Sequence, residues 1–281
     1  RREVKDTARK SATRKLRLPG KLTDCTRENA AETELFLVEG ESAGGSARQA
    51  RDRETQAVLP LRGKILNVAS ATTDKLRANQ ELRDLTEALG CGIGASFDIS
   101  RLRYGRVIIM TDADVDGAHI ASLLMTFFYR EMPELIRHGH LHLAQPPLYR
   151  ITHGPKTVYA MDDQVRVRRI KADFKPNAKV EVSRFKGLGE MPVKDLKETT
   201  MDPARRNAGK GSVSPVRSDR HGRAARVSGS RDPAVHLAAD TRFADRRTAE
   251  TASALWRRCR GHELLLLCGP GPAAAGRCCR P

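Results

Sequence analysis

Val107-Ile108-Ile109-Met110-Thr111-Asp112-Ala113-Asp114-Val115-Asp116-Gly117 is the stretch on which the reading of this chain turns. Its apolar run is too short for a core helix and too continuous for a half-exposed strand. It reads as a strand buried on both faces. Three carboxylates follow at alternate positions, and a glycine closes the segment. Doubly buried strands belong to parallel sheets, and such sheets bind ligands beyond the carboxyl ends of their strands. If the chain stays extended, Asp112, Asp114 and Asp116 project to one side. Three like charges held together favour a cation, and hard oxygen donors select Mg²⁺ or Ca²⁺. The plainer alternative is a solvated acidic turn.

The same architecture extends outward from this segment. Leu35–Val38, Gln56–Pro60 and His140–Ala144 read as further buried strands beside Arg106–Thr111. Gly40–Gly45 reads as a small-residue turn and Ser46–Arg53 as the start of a helix. Asn79–Leu89 reads as a helix closed by Gly90, and Ala118–Arg137 as one long helix. Residues 1–15 read as a basic helix ended by Leu18-Pro19-Gly20. Strands alternating with helices predict an α/β fold, a Rossmann-like parallel sheet flanked by helices. No internal repeat is visible.

A second carboxylate ends a buried strand in Leu35-Phe36-Leu37-Val38-Glu39-Gly40-Glu41-Ser42-Ala43-Gly44-Gly45. The small residues after Glu39 let backbone approach a phosphate or metal closely. The segment is not a phosphate-binding P-loop, because Gly63-Lys64 is followed by Ile65 rather than Ser or Thr. The D-x-D-x-D-G string also begins like an EF-hand loop. The twelfth position of that loop, however, is Leu123 where a bidentate Glu is required. Phosphatases that use an Asp nucleophile share D-x-D, but theirs lies near the start of the domain.

Composition narrows the function classes. The chain has 281 residues and a net charge of +17, with 51 Lys and Arg against 34 Asp and Glu. That excess points to a polyanion, nucleic acid first. No apolar run approaches the ~20 residues a bilayer requires, which argues against a membrane protein. The six cysteines, Cys25, Cys91, Cys259, Cys268, Cys278 and Cys279, show no C-x-x-C spacing. They are read as reduced thiols of a cytoplasmic protein.

Residues 207–281 differ from the rest. They carry thirteen Arg to one Lys, with many Ala, Gly and Pro, and lack a sustained period. Two expectations follow: a disordered basic tail, or out-of-frame translation of GC-rich codons. In the second case, a shift of one or two bases near codon 206 is expected to restore a Leu/Val-rich continuation in the gene.

Several motifs occur in one order: EGESAGGSA from Glu39, PLRGKILNV from Pro60, TDADVDGAHI from Thr111, QPPLYRI from Gln145 and RFKGLGEM from Arg184. With Leu18–Cys25 leading in, they resemble the B subunits of bacterial type IIA topoisomerases. Gln49–Arg53 and the short stretch between Tyr159 and Arg184 resemble topoisomerase IV more than gyrase. The resemblance covers about residues 1–206. It implies the end of a transducer region over 1–30, a TOPRIM domain over 31–150 and a C-terminal extension over 151–206. The chain begins with Arg1, so it is expected to start inside a longer protein whose ATP-using N-terminal domain is absent here.

The resemblance implies a role in breaking and rejoining double-stranded DNA, with the nucleophilic Tyr supplied by an A subunit in a heterotetramer. Glu39, Asp112 and Asp114 would hold Mg²⁺, with Asp116 nearby or bridged by water. Arg62, Lys64 and Lys186 would meet DNA phosphates. Glu41 and Arg62 match quinolone-responsive positions, where the family often has Asp and Lys. Two other readings stay open on the residues alone: an Asp-nucleophile phosphatase using Asp112, and a non-catalytic basic DNA-binding fragment. His138, His140 and His142 alternate like a metal triad, but they are read as a solvated strand face. His119 is read as either a phosphate contact or a helix cap. Tyr104, Tyr129, Tyr149 and Tyr159 are read as packing residues.

Overall fold

The computed structural model describes residues 18–63, 65–68, 71–112, 114–206, 212–218 and 225–227. The elements run β1 (Glu34–Glu39), α1 (Gly40–Ala50), β2 (Gln56–Leu61), α2 (Thr73–Ala78), α3 (Gln80–Leu89), β3 (Arg106–Met110), α4 (Val115–Glu131), α5 (Pro133–Arg137) and β4 (Leu141–Gln145). A second group follows: β5 (Tyr149–His153), β6 (Lys156–Ala160), α6 (Asp163–Asp173), β7 (Glu181–Arg184) and α7 (Val193–Leu196). Strands β8 (Ser212–Ser218) and β9 (Ala225–Val227) come last. The main sheet has the order β2-β1-β3-β4-β8-β9. Its first four strands are parallel, and β8 and β9 join antiparallel.

The continuous apolar runs are explained by two cores, one on each face of the sheet. Leu35, Leu37, Val107 and Ile109 pack with Leu82, Leu85, Leu124 and Phe128 in one cluster. Phe36, Val38, Ile108 and Met110 pack with Ala43, Ala47, Leu188 and Met191 in the other. Alternate residues of one strand thus serve opposite cores, so neither face leaves room for a polar side chain.

Several boundaries differ from the sequence expectation. Gly40–Gly45 is not a turn but the opening of α1, which follows β1 without a loop. Gly40, at φ +76°, absorbs the reversal. Small residues here serve close packing: a Cβ on Gly44 would lie 2.9 Å from Pro60 Cβ. The expected long helix starts at Val115 and divides at Met132-Pro133, because proline supplies no amide to continue the ladder. Helix α2 had no clear sequence signal. Gly90 closes α3 in the left-handed region at φ +75°, as expected.

Residues 149–184 form a separate excursion. Strands β6-β5-β7 make a small antiparallel sheet with its own apolar cluster of Tyr149, Ile151, Ala160 and Phe174. Entry and exit meet at one residue: Leu148 N–H donates to Ala160 O at 3.0 Å, and Leu148 O accepts from Phe185 N–H at 2.9 Å.

The extension is tied back to the amino end of the sheet. Arg206 grips the Glu34 carboxylate with both terminal nitrogens, at 2.7 and 3.0 Å, and both side chains are almost fully buried. Arg106 adds a third contact at 3.0 Å and Gln56 a fourth at 2.9 Å. Gln56 Nε2 also reaches Met201 O at 2.7 Å. Burial alone would raise the Glu34 carboxyl. The hydrogen bonds and charge of Arg206, helped by Gln56 and Arg106, outweigh it and hold the group below the usual carboxylate range.

Within 207–281, residues 212–218 and 225–227 are described, and they are strands rather than irregular chain. Residues Ser212–Pro215 pair with β4, and Val216–Ser218 pair with β9. Val216 is fully buried. Pro215, which cannot donate, sits where one pairing gives way to the other. The alternation is only seven residues long, too brief to register as a period. The expected basic helix over 1–15, the other residues of 207–281 and Lys64 lie outside the described residues. Cys25 and Cys91 are free thiols. Among the described residues, no helix is long and apolar enough to cross a membrane.

Candidate metal centre

Strands β1 and β3 are parallel neighbours in the register Val38↔Met110. Glu39, the last residue of β1, and Asp112, just beyond β3, therefore leave the same edge of the sheet. They are joined directly: Asp112 N–H donates to Glu39 Oε2 at 3.3 Å. Two motifs remote in sequence meet, as the parallel-sheet reading requires.

A third segment closes over them. Phe185, Leu188 and Met191 are buried in the second core, which seats the loop between β7 and α7 against the strand ends. From this seat Leu188 N–H donates to Asp112 Oδ1 at 2.8 Å. The approach is too close for a side chain at two glycines. A Cβ on Gly187 would lie 2.5 Å from Asp112 Oδ2, and one on Gly117 would overlap Asp112 O.

Electrostatics set this edge apart. Burial pushes the Glu39 carboxyl up, and the charges of Asp112, Asp114 and Asp116 push it further, against the opposing bond from Asp112 N–H. Asp112 is likewise raised by burial, then by Asp114 and Glu190, with partial relief from Leu188 N–H. Burial first, and then the neighbouring acids, make both groups resist ionisation, a condition a cation relieves.

The extended arrangement expected for the three aspartates does not hold. The chain turns into α4 at once, and Asp114 becomes its cap, its Oδ1 accepting Gly117 N–H at 2.7 Å. An N-cap bond of this kind satisfies an amide that the helix cannot. Asp116 lies exposed in the first helical turn. Among the described residues, no three His, Cys, Asp or Glu side chains are grouped closely enough to hold a metal. Glu39 and Asp112 form a joined pair, and Asp114 stands beside it engaged with the helix. The donor chemistry, oxygen-only and mutually repelling, fits a hard divalent cation.

Glu41 lies 3.3 Å from Arg48 and 3.5 Å from the largely exposed Arg62. The Arg62 amide donates to Glu81 at 3.0 Å, and Glu81 is itself paired with Lys21 at 2.5 Å. Lys186 is exposed beside the Gly187 loop. The histidines make no metal triad: His138, His140 and His142 each place Nδ1 on a backbone carbonyl, at 3.0, 2.8 and 3.1 Å. His142 is half-buried, so the expected solvated face is only partly so. Tyr104, Tyr149 and Tyr159 donate to Asp24, Asp163 and Asp195. Tyr129 packs on the first core. Sequence reasoning missed Gly117, Gly187, the Leu188 amide and Glu190. The signal present was Gly-Leu-Gly, two residues without side chains around one apolar anchor.

A family described as the Toprim domain matches residues 34–146, the span from β1 to the end of β4. A model described as the DNA gyrase B subunit carboxyl terminus matches residues 177–218, running past Arg206 to the end of β8. The chain is similar to the B subunits of bacterial type II topoisomerases. It is 64% identical over 206 residues to the DNA topoisomerase 4 B subunit of Caulobacter vibrioides and 60% identical over 206 residues to that of Bartonella bacilliformis. The DNA gyrase B subunit of Staphylococcus epidermidis is 53% identical over 206 residues. These matches cover 73% of this chain and 30–32% of the relatives, so the chain spans about a third of their length.

Proposed function

We propose that this chain forms the metal-binding half of a DNA-cleavage site in a type II topoisomerase of the topoisomerase IV kind. The observation that carries the reading is the joined pair of Glu39 and Asp112, two half-buried carboxylates set among other acids at one sheet edge. Glu39, Asp112 and Asp114 would hold Mg²⁺, with Asp114 turning from its helix cap and Asp116 acting nearby or through water. The cation would supply charge stabilisation for the scissile phosphate and the leaving 3′ oxygen. Arg62, Lys64 and Lys186 bind and orient the DNA through its phosphates. The nucleophile would be a Tyr of a separate A subunit, as the likeness to the B subunits implies, while Tyr104, Tyr149 and Tyr159 of this chain serve packing and donate to Asp24, Asp163 and Asp195. ATP would be used by an N-terminal domain of the longer relatives.

The test is reconstitution of the chain with an A subunit of a close relative and supercoiled DNA across a Mg²⁺ titration. Mg²⁺-dependent double-strand cleavage is expected from the mixture and none from the chain alone. Cleavage by the chain alone, or undiminished cleavage with Glu39→Ala, would overturn the reading.

A further inference from the structure

We propose that the Gly187-Leu188-Gly189 turn is a positioning device for Asp112, setting where its carboxylate stands relative to Glu39. The inference rests on the metal-centre reading and goes beyond it, to residues that touch no metal. Three observations carry it. The Leu188 amide is bonded to Asp112 Oδ1 at 2.8 Å, across the sequence distance from β3 to β7. The other carboxylate oxygen is confined by Gly187, where a Cβ would intrude to 2.5 Å of Oδ2 and 3.1 Å of Cγ. The turn is also pressed on α1, since a Cβ on Gly189 would lie 2.6 Å from Ser42 Oγ. One turn therefore touches both carboxylate-bearing segments, the end of β3 and the helix that starts at Glu39.

The physical consequence is specific. A carboxylate on a rotatable bond samples several directions, and a ligand set gains affinity when that freedom is removed beforehand. The Leu188 amide fixes one oxygen, and the close Gly187 backbone limits how far the carboxylate can turn. Buried Phe185, Leu188 and Met191 hold the turn itself in place. A methyl at Gly187 does not remove a ligand; it displaces one.

The test uses Mn²⁺ as the probe and the full chain, with binding followed by the electron-spin signal of free Mn²⁺. Gly187→Ala is expected to weaken Mn²⁺ binding by about 10–100-fold, the usual range for groups that orient a metal ligand, with an unchanged circular-dichroism spectrum. Tyr159→Phe, which loosens the same extension away from Asp112, is expected to retain the parental affinity. In parallel, the amide resonance of Leu188 is followed by NMR. Asp112→Ala is expected to shift it and to speed its hydrogen exchange, a readout that survives even if Gly187→Ala fails to fold. Parental Mn²⁺ affinity in folded Gly187→Ala, or a Leu188 amide indifferent to Asp112→Ala, overturns the positioning role while leaving the metal centre standing. If Asp112→Ala binds Mn²⁺ as the parent does, or the parent binds none, the metal reading itself fails.

Discussion

Glu34 and Glu39 begin and end the same strand, and the fold treats them in opposite ways. At the amino end, Glu34 is almost fully buried yet ionised, held by Arg206, Arg106 and Gln56. At the carboxyl end, Glu39 is half-buried and carries the repulsion of Asp112, Asp114 and Asp116, with a backbone amide for relief. Identical side chains on one β-strand thus divide the labour. The neutralised one locks the extension to the sheet, and the other is the ligand we propose for a cation.

The sharpest way to break this comparison is to exchange the expected phenotypes. Asp112→Ala in the reconstituted complex is expected to lower Mg²⁺-dependent cleavage by about 100-fold or more, since charge stabilisation by a metal is worth several kcal/mol. DNA binding, measured in parallel by gel shift, should survive, because affinity comes from phosphate contacts. Arg206→Ala should do the reverse. It strands a buried carboxylate and is expected to cost about 3–5 kcal/mol in urea unfolding, with no direct effect on Mn²⁺ affinity in the folded protein. If Arg206→Ala leaves stability intact, the lock is only a contact.

The pH dependence separates the two ends by sign. Glu34 is depressed in the folded state, so its stabilising contribution is present above the unfolded carboxylate pKa. It is lost as pH falls through the lower folded value. The deficit of Arg206→Ala should therefore shrink in acid. Glu39 is raised, so the native state binds the extra proton between the unfolded value and the raised one. Its ionisation costs stability above that window, and the cost disappears as pH falls. Glu39→Gln is thus expected to be more stable than the parent at pH 7 and to converge with it in acid, in unfolding curves measured without divalent cation. Divergence of the two curves in acid would refute the assignment. The smallest effect is expected of Tyr159→Phe, which removes one hydrogen bond to Asp195 while Arg150 still pairs with it at 2.9 Å. About 1–2 kcal/mol is anticipated by the same unfolding measurement.

Much of this was legible in the residues. The buried runs at Leu35 and Val107 announced parallel strands, because only a sheet covered on both faces needs apolar residues at consecutive positions. Carboxylates at the ends of those runs nominated the candidate site. What stayed hidden was whatever depends on close approach rather than on burial. Gly40–Gly45 looked like a turn because glycine commonly makes turns, yet here a helix needs bare backbone to lie on Pro60. The aspartates looked coplanar because extended chain places alternate residues together, yet Asp114 is a better helix cap than a strand residue. Leu188 could not be nominated, since its contribution is an amide that any residue but proline would carry. Strand β8 was missed because Ser212–Ser218 has little apolar content beyond Val213 and Val216.

Leu148 gives the chain one more property. Its amide and carbonyl close the neck of the excursion from β5 to β7, so the residues between are a loop in the topological sense, leaving and returning at a single point. Everything the candidate site uses lies outside that loop. Material could be added at the His153–Lys156 hairpin, where Gly154 makes an open turn with nothing within 4 Å of an added Cβ, without moving the neck. The entropic cost of lengthening such a closed loop grows only logarithmically. The same sheet edge can therefore carry appendages of very different size, which makes this hairpin the natural place to graft a tag, a fluorophore or a whole domain.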